Sequence, residues 1–252
     1  MELNFLARNI KNNLILNRFI YNGKSLHKLR LIDLPQGNNI LVLSPHFDDE
    51  IFGCGGNLRK HVLNGSKVSI VYLTDSSSGI VNIKDQMKMI EIRRKESEKA
   101  CEILGINDFH YLDEVDGDVS GIKKSTVEKF IKIIEDKKPD LIYLPWYSDN
   151  HIDHLKANNL LKICYEKYKF NCNICAYEVW TPLRPNILID VSKEFSIKEK
   201  AIKCFKSQLK NVDYLKSIKG LNSYRSMTLS KGKGFTEAFL YLPIKNYIPL
   251  IK

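Results

Sequence analysis

Two short polar clusters in this 252-residue sequence could carry metal chemistry. Residues 44–50, SPHFDDE, place one histidine and three acidic side chains within five positions, and residues 149–154, DNHIDH, combine two histidines with two aspartates. Burying so many ionisable groups is costly unless a partner compensates them, and a divalent cation would do so. Two imidazoles and one carboxylate are a common ligand set for a catalytic Zn²⁺ whose fourth position is left for water. The two clusters therefore predict one metal site, provided that the fold brings them together.

The apolar patterning predicts the elements that must position these clusters. Short apolar runs rich in β-branched residues indicate buried strands, and between them apolar residues recur at helical spacing. Strands that alternate with helices predict an α/β, Rossmann-like, doubly wound and mostly parallel sheet. In such sheets ligands bind beyond the carboxyl ends of the strands, and each polar cluster directly follows a predicted strand. The predicted strands are 39–44, 67–74, 109–112 and 140–144, and the predicted helices are 53–63, 83–104, 125–135 and 154–168.

The regular alternation of predicted strands and helices changes after residue 172. Residues 174–180, 186–191 and 237–242 read as strands, and residues 194–209 read as a helix. We expect them to form a C-terminal β-rich cap on the same domain. The predicted organisation is a single α/β domain over 37–252, with residues 1–36 as an N-terminal extension packed on or flanking it.

Composition excludes several classes of protein. With 44% hydrophobic and 27% charged residues, the chain lacks the composition of a disordered protein. No apolar run approaches the roughly 20 residues that span a bilayer, and the first 20 residues do not resemble a secretory signal. We therefore expect a cytoplasmic protein whose six dispersed cysteines are reduced thiols.

The net charge of +10 is concentrated at both ends of the sequence. Residues 1–40 carry six basic and two acidic side chains, and residues 191–252 carry thirteen and four. We interpret this excess as a lysine-rich solvated surface, because no clustered arginine and aromatic platform for nucleic acid is present. We therefore expect no nucleic-acid partner. The amphipathic, basic segment 5–21 leaves peripheral membrane contact open, although packing on the domain is favoured, and the sequence does not define an oligomeric state.

The motifs PHFDDE at 45–50 and HIDH at 151–154 together resemble the paired signature of the PIG-L/LmbE-like zinc-dependent N-acetylglucosamine deacetylases. The glycine-rich segment 53–56, the strand 68–74 and the charged helix from Arg93 to Gly105 are similar to the segments that follow the first motif in that family. The likeness covers about residues 38 to 160. It is weaker in the first 36 residues and in the C-terminal third, where 206–208 and 237–239 resemble late family features.

The resemblance implies a metal set and a base. His46, Asp49 and His154 would hold one Zn²⁺ per chain, and Asp48 would be the general base that takes a proton from the attacking water. The substrate would be an N-acetylated amino sugar, free or conjugated, and the products would be acetate and a free amine. Asp48 could instead be a partner that orients His46, and Glu50 is treated as structural.

The resemblance also implies roles for three further residues. A protonated His151 would stabilise the oxyanion, with Asp153 orienting its ring, and the proton for the leaving amine would come from Asp48 or His151. Asp153 could also be a helix-start carboxylate, a role compatible with orienting His151. Arg93 matches a position that contacts substrate hydroxyls or phosphate, although an arginine on a charged helix is as often solvated. Phe47 replaces the proline most common at that position, which puts the loop shape in doubt and leaves every predicted ligand intact.

Three other functions compete with this hypothesis, and one cysteine pair suggests a separate role. Gly53, Gly55 and Gly56 after a strand imitate a nucleotide-binding fingerprint of a Rossmann-type enzyme, but Leu58 stands where the third glycine belongs. A metal-dependent phosphoesterase would hold two ions, and a non-catalytic sugar-binding module would need neither base nor acid. Cys172-x-x-Cys175 could be a structural zinc or redox pair, but lies within a strand-like run, which favours core cysteines.

Overall fold

The computed structural model of the protein describes residues 29–77 and 83–251. Within them, eight strands form one sheet in the order β1-β7-β8-β6-β5-β2-β3-β4. Most of these strands are buried over most of their length because helices cover both faces of the sheet. The strands are β1 (Arg30–Ile32), β2 (Asn39–Ser44), β3 (Lys67–Thr74), β4 (Asp108–Glu114), β5 (Leu141–Pro145), β6 (Asn173–Tyr177), β7 (Ile187–Asp190) and β8 (Thr236–Pro243).

Helices connect the strands. Their apolar faces pack on the sheet in two clusters, one on each side, which makes the α/β sheet doubly wound. Within the described residues, every helix is too short or too polar to cross a lipid bilayer. The helices are α1 (Asp49–Leu63), α2 (Ile83–Leu104), α3 (Lys124–Lys137), α4 (Ile152–Lys167), α5 (Phe195–Ile202), α6 (Lys206–Leu209), α7 (Tyr214–Ser230) and α8 (Ile244–Tyr247), followed by a 3₁₀ turn over Ile248–Leu250.

The central strand β2 pairs in parallel with β3 on one side and β5 on the other. Ile40 lies opposite Val68 and Leu141, so the three strands run in the same direction and end at the same edge of the sheet. This confirms the expected mostly parallel α/β sheet. Both polar clusters follow these strands, the first after β2 and the second after β5, and therefore leave the same edge side by side.

The C-terminal strands, expected to form a cap, extend the main sheet instead. Strand β6 pairs in parallel with β5, and β8 lies antiparallel between β6 and β7. Buried residues on both faces of β6 explain this position, because a strand that is apolar on both sides belongs inside a sheet. Strand β1, whose residues fall in the expected N-terminal extension, pairs with β7 and forms one edge.

Two of the expected helices differ most from the structure. Helix α1 begins at Asp49, four residues earlier than expected, so that Asp49 and Glu50 occupy its first turn. Carboxylates are favourable there because the amino end of a helix carries partial positive charge. The expected helix over 194–209 is divided into α5 and α6, with Phe205 buried between them.

Candidate active site

The loop after β2 is fixed by contacts with the neighbouring strand. The Thr74 backbone N–H and hydroxyl both donate to the Pro45 carbonyl, at 3.0 and 2.9 Å. The Phe47 N–H donates to Ser76 Oγ at 3.0 Å, and the Phe47 ring packs edge-on against Tyr72 at 5.0 Å. The phenylalanine that replaces the expected proline thus anchors the loop in the core, and the side chains around it are held in place.

The loop between β5 and α4 carries the second cluster. His151 is the residue that caps α4, and its Nδ1 accepts from the Asp153 N–H at 3.3 Å. Asp149 Oδ2 accepts from the backbone N–H groups of Trp180 and Thr181 at 3.2 and 3.4 Å. These bonds tie the loop to the segment after β6. His154 lies in the first turn of α4 and is fully buried.

One carboxylate oxygen lies between the imidazoles of the two clusters. Asp49 Oδ2 is 2.9 Å from His46 Nδ1 and 3.1 Å from His154 Nε2. His154 is fully buried, yet neither of its ring nitrogens makes a hydrogen bond of good geometry with the described residues. A carboxylate oxygen within about 3 Å of two imidazole nitrogens, one of them on a buried ring that lacks a proper hydrogen bond, fits a divalent cation as the missing partner.

His151 and two further acids lie within reach of this centre. Three ring nitrogens, one each from His46, His151 and His154, lie within 4.8 Å of one another. A second group, which shares His46, places His46 Nε2 3.3 Å from Asp116 Oδ1 and 3.4 Å from Asp153 Oδ2. A group of histidine and aspartate side chains at this edge of the sheet could therefore bind a metal.

Asp48 is adjacent to the centre and lines the cavity above it. Its Oδ2 accepts a hydrogen bond from Gln208 Nε2 at 3.2 Å. Burial, reinforced by the negative charge of Asp49, raises the pKa of Asp48 to about 8. A carboxyl whose pKa lies near neutrality can both accept and donate a proton at physiological pH.

Asp153 is shared between two histidines. Its Oδ2 is 3.8 Å from His151 Nδ1 and 3.4 Å from His46 Nε2, and it accepts from the Gly117 N–H at 3.0 Å. Burial and then the charges of His46 and His154 lower the pKa of His151. A His151 that is protonated at rest, as expected from the resemblance, would need a raised pKa instead. The charges of Asp49 and Asp153 act in that direction, but they are outweighed.

Arg93 reaches the same cavity from α2. Its guanidinium lines the cavity and donates from Nη1 to the Ser76 carbonyl, so it is held at the site and is not a freely solvated surface group. Asp116, after β4, was missed by the sequence reasoning, although an acidic run that follows a third parallel strand at this edge is a usable signal. Trp180 and Tyr214 were missed as well.

All of the predicted site side chains lie at or directly beneath one cavity of about 450 Å³. Asp153 and His154 lie beneath it, fully buried. The remaining predicted residues form its wall together with aromatic and polar side chains from loops and helices. The lining residues are His46, Asp48, Asp49, Phe52, Arg93, Asp116, Gly117, His151, Ile152, Val179, Trp180, Gln208 and Tyr214.

Glu50, the remaining acid of the first cluster, points into the core. It accepts from Ser44 Oγ at 2.8 Å and from the Tyr72 hydroxyl at 2.9 Å. Burial raises its pKa to about 7. These contacts agree with the structural role expected for it.

The cysteine pair and the glycine-rich segment have structural explanations. All six cysteines lie in the described residues and are free thiols. Cys172 and Cys175 belong to the apolar clusters on opposite faces of the sheet, so they do not form a metal or redox pair. A Cβ atom at Gly53 would overlap the Tyr177 ring, and one at Gly56 would lie 2.7 Å from Val191 Cβ. The glycines thus allow α1 to approach the sheet, which removes the main argument for a nucleotide site.

Comparisons with known proteins show similarity to a family of deacetylases. Residues 41–165 match the family model described as GlcNAc-PI de-N-acetylase (PIG-L). A diacetylchitobiose deacetylase from Thermococcus kodakarensis is 28% identical over 189 residues, which cover 67% of this chain and 69% of that protein.

Solved structures share the fold at low sequence identity. The N,N'-diacetylchitobiose deacetylase from Pyrococcus horikoshii is 21% identical with a TM-score of 0.71, and 92% of each chain is covered. A conserved protein from Thermus thermophilus is 24% identical with a TM-score of 0.69, covering 80% of this chain and 93% of that one. A 4-carboxy-2-hydroxymuconate hydratase from Pseudomonas putida is 21% identical with a TM-score of 0.65, covering 81% and 95%. The fold is therefore shared by proteins with different reactions.

Proposed function

The chain carries a PIG-L family domain, and from that premise we propose that it is a zinc-dependent hydrolase that removes the acetyl group from an N-acetylated amino sugar. Acetate and a free amine would be the products. The observation that carries the proposal is the position of Asp49 Oδ2 between nitrogen atoms of His46 and His154, at the base of an open cavity. A relative that deacetylates diacetylchitobiose supports the substrate class.

In this proposal the metal is held by His46, Asp49 and His154, one ion per chain. When bound, zinc would activate a water molecule and polarise the acetamide carbonyl. Asp48 faces the cavity next to this set and accepts the proton from the attacking water. The Gln208 amide, which donates to Asp48 Oδ2, holds that carboxylate toward the cavity.

His151 and Asp153 form the second half of the proposed machinery. His151 lines the cavity on the side of the α4 loop, where its ring can donate to the developing oxyanion, and Asp153 Oδ2 lies near its Nδ1. The proton for the amine leaving group comes from Asp48 or His151, since both line the cavity. Arg93, fixed by the Ser76 carbonyl, binds hydroxyl or phosphate groups of the substrate.

A two-metal phosphoesterase is the second candidate, because two possible ligand groups overlap at His46. In that arrangement His46 would have to bind one ion through Nδ1 and another through Nε2. His46 Nε2 instead lies near two carboxylates. Carboxylates in that position typically accept a hydrogen bond from the second ring nitrogen of a metal-bound histidine. A single ion therefore agrees better with the geometry.

The test is a panel of N-acetyl sugars and sugar nucleotides incubated with zinc-loaded protein and scored for released acetate and for released phosphate. Zinc is counted per chain in the same preparation. Acetate release with one ion supports the proposal. Phosphate release with two ions would establish the phosphoesterase, and sugar binding without any product would establish a non-catalytic module.

A further inference from the structure

A second cavity, of about 240 Å³, adjoins the proposed active-site cavity. The two share four lining residues, Phe52, Val179, Trp180 and Tyr214. The Tyr214 ring stacks on Phe52 at 4.9 Å and meets Trp180 edge-on at 6.2 Å. These aromatic side chains border both spaces, which places the second cavity directly beside the proposed active-site cavity.

The outer wall of the second cavity is one face of α7. Tyr214, Ile218 and Leu221 are spaced by four and three residues, which places them on the same side of the helix. Val212, immediately before the helix, adds a further apolar side chain. The cavity is therefore lined mainly by aliphatic and aromatic groups.

The polar side chains at its margin are already engaged. Glu178 accepts from Arg225 Nε and from the Leu183 N–H, both at 2.8 Å. Ser217 donates its hydroxyl to the Asp213 carbonyl at 3.2 Å. An occupant rich in hydroxyls would find few partners here and would lose its hydrogen bonds to water. An apolar occupant would gain from leaving water.

We propose that this second cavity receives an apolar aglycone, an aryl or alkyl group joined to the N-acetylated amino sugar that occupies the active-site cavity. The inference rests on the proposed function and names the class of substrate, an amino sugar conjugated to an apolar group. Trp180 marks the junction, because its side chain lines both cavities and the residue is 52% exposed. A half-exposed tryptophan beside a binding cavity is a typical contact surface for a ligand.

A larger groove on the other side of the site fits less well. It is lined by Val119, Ile152 and Leu155 together with lysine and carboxylate side chains, and it shares Ile152 alone with the lining of the active-site cavity. The groove therefore shares little of its lining with the cavity where the sugar would lie. It provides the alternative location against which the assignment is tested.

The experiment compares methyl and 4-nitrophenyl N-acetyl-β-glucosaminides and N,N'-diacetylchitobiose as substrates of the zinc-loaded protein. We expect kcat/KM for acetate release to be about 10-fold higher, or more, for the 4-nitrophenyl glycoside than for the methyl glycoside, mainly through a lower KM. The polar disaccharide should show no such gain. Equal kcat/KM for the two glycosides would overturn the inference while leaving the proposed deacetylation intact.

Three variants locate the effect. Leu221→Asn should abolish the preference for the 4-nitrophenyl glycoside. Tyr224→Asn, on the exposed side of the same helix, and Leu155→Asn, in the groove, should retain it. Loss of the preference in Leu155→Asn with retention in Leu221→Asn would overturn the assignment to this cavity.

Binding provides a readout that does not depend on turnover. Calorimetric dissociation constants for the two glycosides should differ by the same factor and should converge in Leu221→Asn. Should no glycoside release acetate, the proposed function fails, and equal dissociation constants would then reject the cavity assignment separately.

Discussion

Asp48 is the side chain on which the proposed proton transfer depends. It lines the cavity and neighbours Asp49 without belonging to the proposed metal set. Asp48→Asn retains size and hydrogen-bonding capacity but removes the base, so we expect zinc content to be unchanged and kcat to fall by about 10²–10⁴-fold. Acetate release and elemental zinc analysis of the same sample measure both quantities.

Asp136→Asn is the matched control for this change. Asp136 is a mostly exposed carboxylate on α3 that pairs with Lys137, and its loss should leave kcat unaffected. An Asp48→Asn protein with wild-type turnover would mean that another group accepts the proton.

His154 has a different role, which predicts a different defect. It is fully buried and its Nε2 lies 3.1 Å from Asp49 Oδ2. We expect His154→Ala to lose zinc along with activity, because removing one of three ligands weakens a site that the other two cannot complete. His110→Ala, a half-buried histidine paired with Asp108, should bind zinc normally. Undiminished zinc affinity in His154→Ala would exclude it from the metal set.

The meeting of the two polar clusters could be predicted from the sequence, since each follows a predicted strand that ends at the same edge of the sheet. The choice of His46, Asp49 and His154 as the metal set came from the family resemblance and stays a prediction. Asp116 could not be placed beside His46, because that contact depends on how far the chain after β4 bends over the site. Trp180 and Tyr214 were missed for the same reason. Their approach depends on contacts among residues distant in sequence, which no local pattern records.

At the scale of elements, local periodicity predicted most of the strands and helices, and pairing across the sheet decided the rest. The runs at 39–44 and 67–74 agree with β2 and β3. The C-terminal strands were located, and β6 pairs in parallel with β5, but the positions of β7 and β8 in the main sheet depend on antiparallel pairing of β8 with β6 and β7. That pairing joins segments about 50 to 70 residues apart, and alternation of apolar residues does not specify the partner.

One buried ion pair holds the C-terminal elements on α1. Lys198 Nζ donates to Glu237 Oε1 at 2.6 Å and to the Phe52 carbonyl at 2.9 Å, and Glu237 accepts from the Gly56 and Asn57 N–H groups. We expect Lys198→Ala to lower the free energy of unfolding by about 3–5 kcal/mol, because it leaves Glu237 charged and buried without its partner. Denaturant titration measures the loss.

Lys203→Ala is the comparison for that variant. Lys203 forms an exposed pair with Glu199 one turn apart, and such pairs contribute only about 0.3–0.5 kcal/mol. If Lys198→Ala were no less stable than Lys203→Ala, the buried pair would not be what holds these elements together.

At the scale of the whole molecule, stability should depend on the protonation of His61. Burial, only partly opposed by Asp140, lowers the pKa of His61 to about 4, and its Nε2 lies 2.8 Å from the Tyr143 hydroxyl. The unfolded chain therefore binds this proton more readily than the folded one, so the contribution of His61 to stability is greatest above about pH 6.5 and decreases as the pH falls toward 4. The decrease amounts to about 3 kcal/mol at most.

His61→Gln isolates this contribution. We expect the variant to be less stable than the wild type at pH 7.5, with a difference that shrinks toward pH 4, as measured by urea unfolding across the range. A difference independent of pH would show that His61 does not titrate with unfolding.

The proposed metal centre, formed by two loops at one edge of the sheet, can be located by anomalous diffraction at the zinc edge from zinc-soaked crystals. We expect one anomalous peak per chain, bounded by His46 Nδ1, Asp49 Oδ2 and His154 Nε2. Two peaks about 3.5–4 Å apart, as in two-metal sites, or a single peak away from these three atoms, would contradict it.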